Sequence, residues 1–135
     1  MKYLEMKKKH EEEFYNFPHF FAFNEDQFEK GKAKLGVTDN KEIVIGKDFG
    51  NVIMRKVDAP RFGQMLLRHL AETKELFEDD QELVAALRYE LDNHEYSYTG
   101  DLSDTIAVFD GTVDISTERF AILLSRATDL CREEE

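Results

Sequence analysis

The sequence predicts an α+β fold, with five or so helices around a small antiparallel sheet or β-hairpin. Three observations carry that expectation. Apolar residues recur at steps of three and four through most of the chain, the period of helices packed on one face. Two short β-branched runs, Ile43-Val44-Ile45 and Val52-Ile53-Met54, are separated by a connection that Gly46 and Gly50 bracket, the composition of a hairpin. The 135 residues are 41% apolar and include eleven Phe, which is enough to fill a core with no disulfide or metal staple. We read one α+β domain over residues 1–135.

The first helix is expected over residues 2–16. Tyr3, Met6, His10, Phe14 and Phe17 line one face, and Lys7, Lys8 and Lys9 stand four residues before Glu11, Glu12 and Glu13. Lysine before glutamate is the weaker order for such pairs, so this helix must rely on packing. Pro18 ends it, and Phe20-Phe21-Ala22-Phe23 reads as a short extended segment. Asn24 is placed to cap a second helix, with Gln27 three residues on and Gly36 closing it after Leu35.

After the hairpin, Asp58 is an N-cap candidate with Pro60 in the first turn. The stripe Phe62, Met65, Leu66, His69, Leu70, Thr73, Leu76 and Phe77 follows. Asp79 with Glu82 forms a second cap, and Leu83, Val84, Leu87, Leu91 and His94 mark the face of the next helix. The short join predicts an antiparallel helical hairpin. Residues 95–99 alternate and read as a strand or extended loop ending at Gly100. A short helix through Ile106, Val108 and Phe109 then closes at Gly111. Ser116 or Thr117 opens the last helix, through Phe120, Leu123, Leu124, Ala127, Leu130 and Cys131, with Glu133-Glu134-Glu135 expected to fray.

Charge divides the chain unevenly. Residues 1–70 carry 13 Lys/Arg against 11 Asp/Glu, whereas residues 71–135 carry 5 against 18. The second half therefore repels nucleic acid and anionic lipid and attracts basic surfaces. One cysteine, Cys131, allows no internal disulfide and fits a reducing compartment. The N-terminal stretch has no apolar core of a signal peptide, and no apolar run is long enough to span a bilayer. A cytoplasmic protein is expected.

Catalytic templates are absent: no glycine-rich phosphate loop, no HExxH, no Cys-x-x-Cys and no Gly-x-Ser-x-Gly. One segment gathers chemistry, Asn93-His94-Glu95-Tyr96-Ser97-Tyr98-Thr99-Gly100-Asp101, with Asp104 behind it. Its histidine and carboxylates fit a metal half-site or a His/Glu acid–base pair. They equally fit a helix end, where histidine complements the dipole and asparagine helps terminate. The cluster Phe14, Tyr15, Phe17, Phe20, Phe21, Phe23 and Phe28 reads as core before it reads as a pocket.

Two segments, Phe20-Phe21-Ala22-Phe23-Asn24-Glu25-Asp26-Gln27-Phe28-Glu29-Lys30-Gly31 and Asn93 to Asp101, resemble a family of small uncharacterised proteins of bacteriophages and mobile elements of gut bacteria. In that family the Asn-His-Glu segment precedes an acidic turn and a short helix ending near glycine. Asp104 to Gly111 follows that plan, with Ala107-Val108-Phe109-Asp110 in place of a small-Leu-Gly ending. The resemblance implies an element-encoded protein and no assigned activity.

The reading that follows is a small acidic binding protein that meets a basic protein partner, with no direct nucleic acid, no membrane and no cofactor. Its expected surface is Glu72, Glu75, Asp79 and Asp80, with Glu78 and Asp92 nearby, and the segment Asn93, His94, Glu95, Tyr96, Tyr98, Asp101 and Asp104. The alternative is a metal-dependent or His/Glu acid–base enzyme centred on Asn93–Asp104. The oligomeric state is left open.

Overall fold

The computed structural model describes residues 1–133, so Glu134 and Glu135 of the expected frayed end lie outside the described residues. The fold is mostly helical, with one two-stranded antiparallel sheet. The helices are α1 (Lys2–Asn16), α2 (Glu25–Leu35), α3 (Ala59–Leu76), α4 (Asp80–Asn93), α5 (Tyr96–Thr99), α6 (Ser103–Phe109) and α7 (Glu118–Glu133). The strands are β1 (Ile43–Gly46) and β2 (Val52–Arg55), in the register Ile43↔Arg55 to Gly46↔Val52. The chain forms two compact units: residues 1–9 with 69–135, and residues 10–68. Helices α1 and α3 each contribute residues to both.

In the smaller unit the hairpin supplies the core. Val52 and Met54 of β2 are buried with Phe62 and Met65 of α3, and Phe14 and Phe17 of α1 pack against them. The connection contains a 3-10 turn at Lys47–Phe49, and Gly50 takes the left-handed φ of 72° that turns the chain back. The expected strand over residues 20–23 is reduced to one bridge. Phe20 and Ile53 exchange two backbone hydrogen bonds of 2.9 Å, while Phe23 is fully exposed.

Helix α2 begins as expected. Asn24 Oδ1 accepts from the Gln27 amide at 2.8 Å, and Gln27 Oε1 accepts from the Phe23 amide at 2.7 Å. Gly31 of α2 lies against the buried Phe20 ring so closely that a methyl group there would overlap the ring carbons. Phe20 has little room to yield, because its side chain is buried and its backbone is bridged to Ile53. Gly31→Ala is therefore expected to destabilise by about 1–2 kcal/mol, although alanine favours a helix over glycine by about 1 kcal/mol. Urea denaturation of the two proteins checks this.

Asp58 departs from its expected role. It ends a 3-10 turn at Lys56–Asp58, and its buried carboxylate is taken by Arg55 Nε at 2.8 Å and a terminal guanidinium nitrogen of Arg61 at 3.0 Å. The Arg55 hydrogen bond, above all, holds this carboxyl below the usual aspartate range. A side chain so engaged anchors two arginines rather than the first amides of α3.

The larger unit is built on α4. Its face Leu83, Val84, Ala86, Leu87 and Leu91 is buried with Phe120, Leu123, Ala127 and Cys131 of α7. The main partner of α4 is thus α7, not the α3 of the expected hairpin. Asp79 caps α4 by accepting from the Gln81 and Glu82 amides at 2.9 and 3.2 Å. Arg119 of α7 fastens the α3–α4 join. Its guanidinium donates to the Phe77 carbonyl at 2.7 Å and the Glu78 carbonyl at 3.2 Å, and to Asp80 Oδ1 at 2.8 Å. Thr117 opens α7 as expected, accepting from the Phe120 amide at 3.1 Å.

Residues 95–99 are not extended. The amides of Tyr98 and Thr99 both donate to the Glu95 carbonyl, at 3.0 and 3.1 Å, which winds α5. Glu95 enters it in the left-handed region, φ 57°, and Gly100 leaves it at φ 67°. Among the described residues no strand lies beside this segment, so the backbone satisfies itself locally.

Candidate functional site

The densest chemistry in the larger unit lies where the last turn of α4 meets the first turns of α1. Glu90 belongs to the otherwise apolar face of α4 and is 1% exposed. Its Oε1 accepts from the Tyr3 hydroxyl at 2.7 Å, and Lys7 Nζ stands 3.4 Å away. One turn on, His94 Nε2 lies 3.4 Å from the other carboxylate oxygen. Thr105 of α6, also buried, donates its hydroxyl to the Glu90 carbonyl at 3.4 Å. A buried carboxylate is tolerated only when paired and hydrogen-bonded, and these partners meet that condition.

Tyr3 has the strongest perturbation. Burial first, and then the Glu90 hydrogen bond and charge, push its hydroxyl well above the usual tyrosine range. Its ring lies 5.7 Å from Phe77 and 6.4 Å from Phe109, so one side chain joins the polar cluster to the aromatic core.

The histidine of the Asn93–Asp104 segment is half-buried, its side chain 29% exposed. It faces Glu90 rather than the neighbouring Glu95, which is exposed. Consecutive side chains point apart, whereas residues four apart on a helix meet. Asn93 is the exposed last residue of α4, and Tyr96 packs on the core. Tyr98 is 89% exposed. Asp101 accepts from the Ser103 amide at 2.8 Å, and that bond lowers its pKa. Asp104 is exposed in the first turn of α6. The structure therefore brings His94 to a carboxylate, but not to Glu95 or Asp101. Among the described residues no three His, Cys, Asp or Glu side chains are placed to hold a metal ion.

The acidic residues of α3 and the α3–α4 join divide by role. Asp79 is a helix cap and Asp80 an ion-pair partner of Arg119. Glu72 and Glu75 line a cleft of about 370 Å³ together with Lys2 and Lys9 of α1. Asp92 accepts from the Cys131 thiol at 3.7 Å. Among the described residues Glu75, Glu78, Glu95 and Asp104 are exposed and pair with no cation.

Glu90, Tyr3 and Lys7 escape a reading by sequence. Glu90 carries the only local signal, its place one turn before His94. Tyr3 and Lys7 lie 87 and 83 residues away from it in sequence.

Residues 2–130 match a family of unknown function, DUF7659, and the chain belongs to that family. No curated protein and no solved structure matches the chain. Among the described residues no helix is long and apolar enough to cross a membrane.

Proposed function

We propose that the protein is a non-enzymatic, cytoplasmic binding protein, encoded by a phage or mobile element, that meets a basic protein surface through the carboxylates of its larger unit. One observation carries this reading: the charge is segregated. The larger unit holds 9 Lys/Arg against 19 Asp/Glu and the smaller unit 9 against 10, so almost all of the net charge of −11 belongs to one of them. Its unpaired carboxylates, Glu75, Glu78, Glu95 and Asp104, are free to meet cations of a partner. Asp79, Asp80 and Asp101 serve the fold and act only through the field they add. Catalysis by the Asn93–Asp104 segment has less support, since the carboxylate that His94 faces, Glu90, is buried and held by Tyr3 and Lys7.

Immobilised protein is expected to retain a basic partner from a bacterial lysate at about 50 mM salt and release it at about 500 mM, where screening is strong. A Glu75→Lys, Glu78→Lys, Asp104→Lys variant keeps every internal bond described above and is expected to bind at least tenfold more weakly. Retention of the same proteins by wild type and variant, or binding indifferent to salt, overturns the reading.

A further inference from the structure

Helices α4 and α7 leave between them a groove of about 610 Å³, within the larger unit. Its floor is apolar: Val84, Ala85 and Tyr89 of α4 and Leu130 of α7. Residues 81, 84, 85, 88 and 92 recur along one face of α4, and at 1.5 Å per residue the row from 81 to 92 is about 16 Å long. An open groove of this volume with an apolar floor has room for a small molecule.

Its lining runs against the charge of the stretch around it, with two arginines to one aspartate. Residues 71–135 hold only 5 Lys/Arg against 18 Asp/Glu. Two of those five cations, Arg88 of α4 and Arg126 of α7, line this one groove. Arg126 is exposed and pairs with no carboxylate among the described residues. Asp92, also in the lining, accepts from the Cys131 thiol. Guanidinium groups match carboxylates in charge and in bidentate geometry, and an apolar floor beside them takes a hydrocarbon body.

We propose that the α4–α7 groove binds an amphipathic organic acid, a single anionic head on Arg126 with Arg88 beside it and an apolar body of about ten to twelve carbons over Val84, Ala85 and Leu130. This site uses none of the carboxylates assigned to the basic partner and is independent of that reading.

Dodecanoate and dodecyltrimethylammonium, which share a tail and carry opposite heads, distinguish this site from general adsorption. Each is titrated into the full chain below its micellar range and followed by amide NMR and calorimetry. Dodecanoate is expected to saturate one site, to move the amides of Val84, Ala85 and Leu130, and to bind at least tenfold more tightly than the cation. The net charge of −11 by itself favours the opposite order. Arg126→Glu is expected to weaken dodecanoate at least tenfold with an unchanged melting curve, and Ala85→Phe, which fills the floor, to weaken both probes. The Glu75, Glu78 and Asp104 lysine variant is expected to bind dodecanoate no more weakly than wild type, which separates this site from the acidic surface. Equal or tighter binding of the cation, amide shifts confined to other residues, or dodecanoate affinity that survives Arg126→Glu overturns the proposal.

Discussion

Replacing Phe109 with alanine is expected to cost about 3–5 kcal/mol, a large share of an ordinary stability of about 5–15 kcal/mol. Phe109 is 0% exposed. Its ring centre lies 5.3 Å from that of Phe77 and 6.4 Å from that of Tyr3. Truncation removes a full aromatic side chain and leaves a cavity between rings that are themselves held by α1 and the end of α3. Close-packed surroundings collapse only partly into such a space. Phe109→Leu retains most of the volume and is expected to lose less than half as much. Urea denaturation monitored by circular dichroism gives both values. A loss below about 1 kcal/mol for alanine would mean that the three-ring stack is not a determinant of stability.

Phe109 also illustrates what the sequence discloses. That it lies in a short helix was legible from Ile106, Val108 and Phe109 and from Gly111 behind them; that Phe109 faces inward while Val108 is exposed was not. Its partners were not, because Tyr3 lies 106 positions earlier in the chain. The same divide runs through the whole protein. The bounds of α1, the Asn24 and Asp79 caps, the hairpin and the Thr117 start of α7 were all readable, since each is a local pattern of periodicity, capping oxygen or glycine. What failed was decided by tertiary neighbours. Residues 95–99 alternate like a strand, yet among the described residues no strand lies beside them. Asp58 has the composition of a cap, yet two arginines compete for its oxygens. The short join after Phe77 favours a helical hairpin, yet the apolar face of α4 finds α7.

The candidate site follows the same rule. His94 stands in the segment where carboxylates and hydroxyls gather, and Glu95 is its neighbour in sequence. The helix period assigns it Glu90 instead. That residue looks anomalous only once the face Leu83, Leu87 and Leu91 is known to be buried, because a glutamate there needs partners. The groove between α4 and α7 was still harder to see. It depends on two arginines 38 positions apart, in a stretch whose overall composition argues only for negative charge.

The Glu90 cluster is where the energetics are sharpest. Glu90→Leu is expected to cost about 1–3 kcal/mol, since it leaves the buried Tyr3 hydroxyl without an acceptor and Lys7 without its counter-charge. Lys7 is 42% exposed at its side chain and can turn to water; Tyr3 is 5% exposed and cannot. Most of the loss should therefore come from the orphaned hydroxyl. A Tyr3→Phe, Glu90→Leu double variant removes donor and acceptor together and is expected to regain a large part of it. A double variant no more stable than Glu90→Leu would place the cost in packing instead. Alkaline pH supplies an independent readout. The Tyr3 pKa is raised in the folded state, so the folded protein keeps a proton that the unfolded chain releases above about pH 10. Its contribution is complete below that pH and falls as pH rises further, by about 1.4 kcal/mol per unit. Wild type should lose stability between pH 10 and 11 by about 1 kcal/mol more than Tyr3→Phe, since the unfolded tyrosine is only half ionised at the start of that interval. Parallel pH profiles for the two proteins would show that the Tyr3 hydroxyl reaches solvent, and the buried cluster would then lose its role as the clamp between α1 and α4.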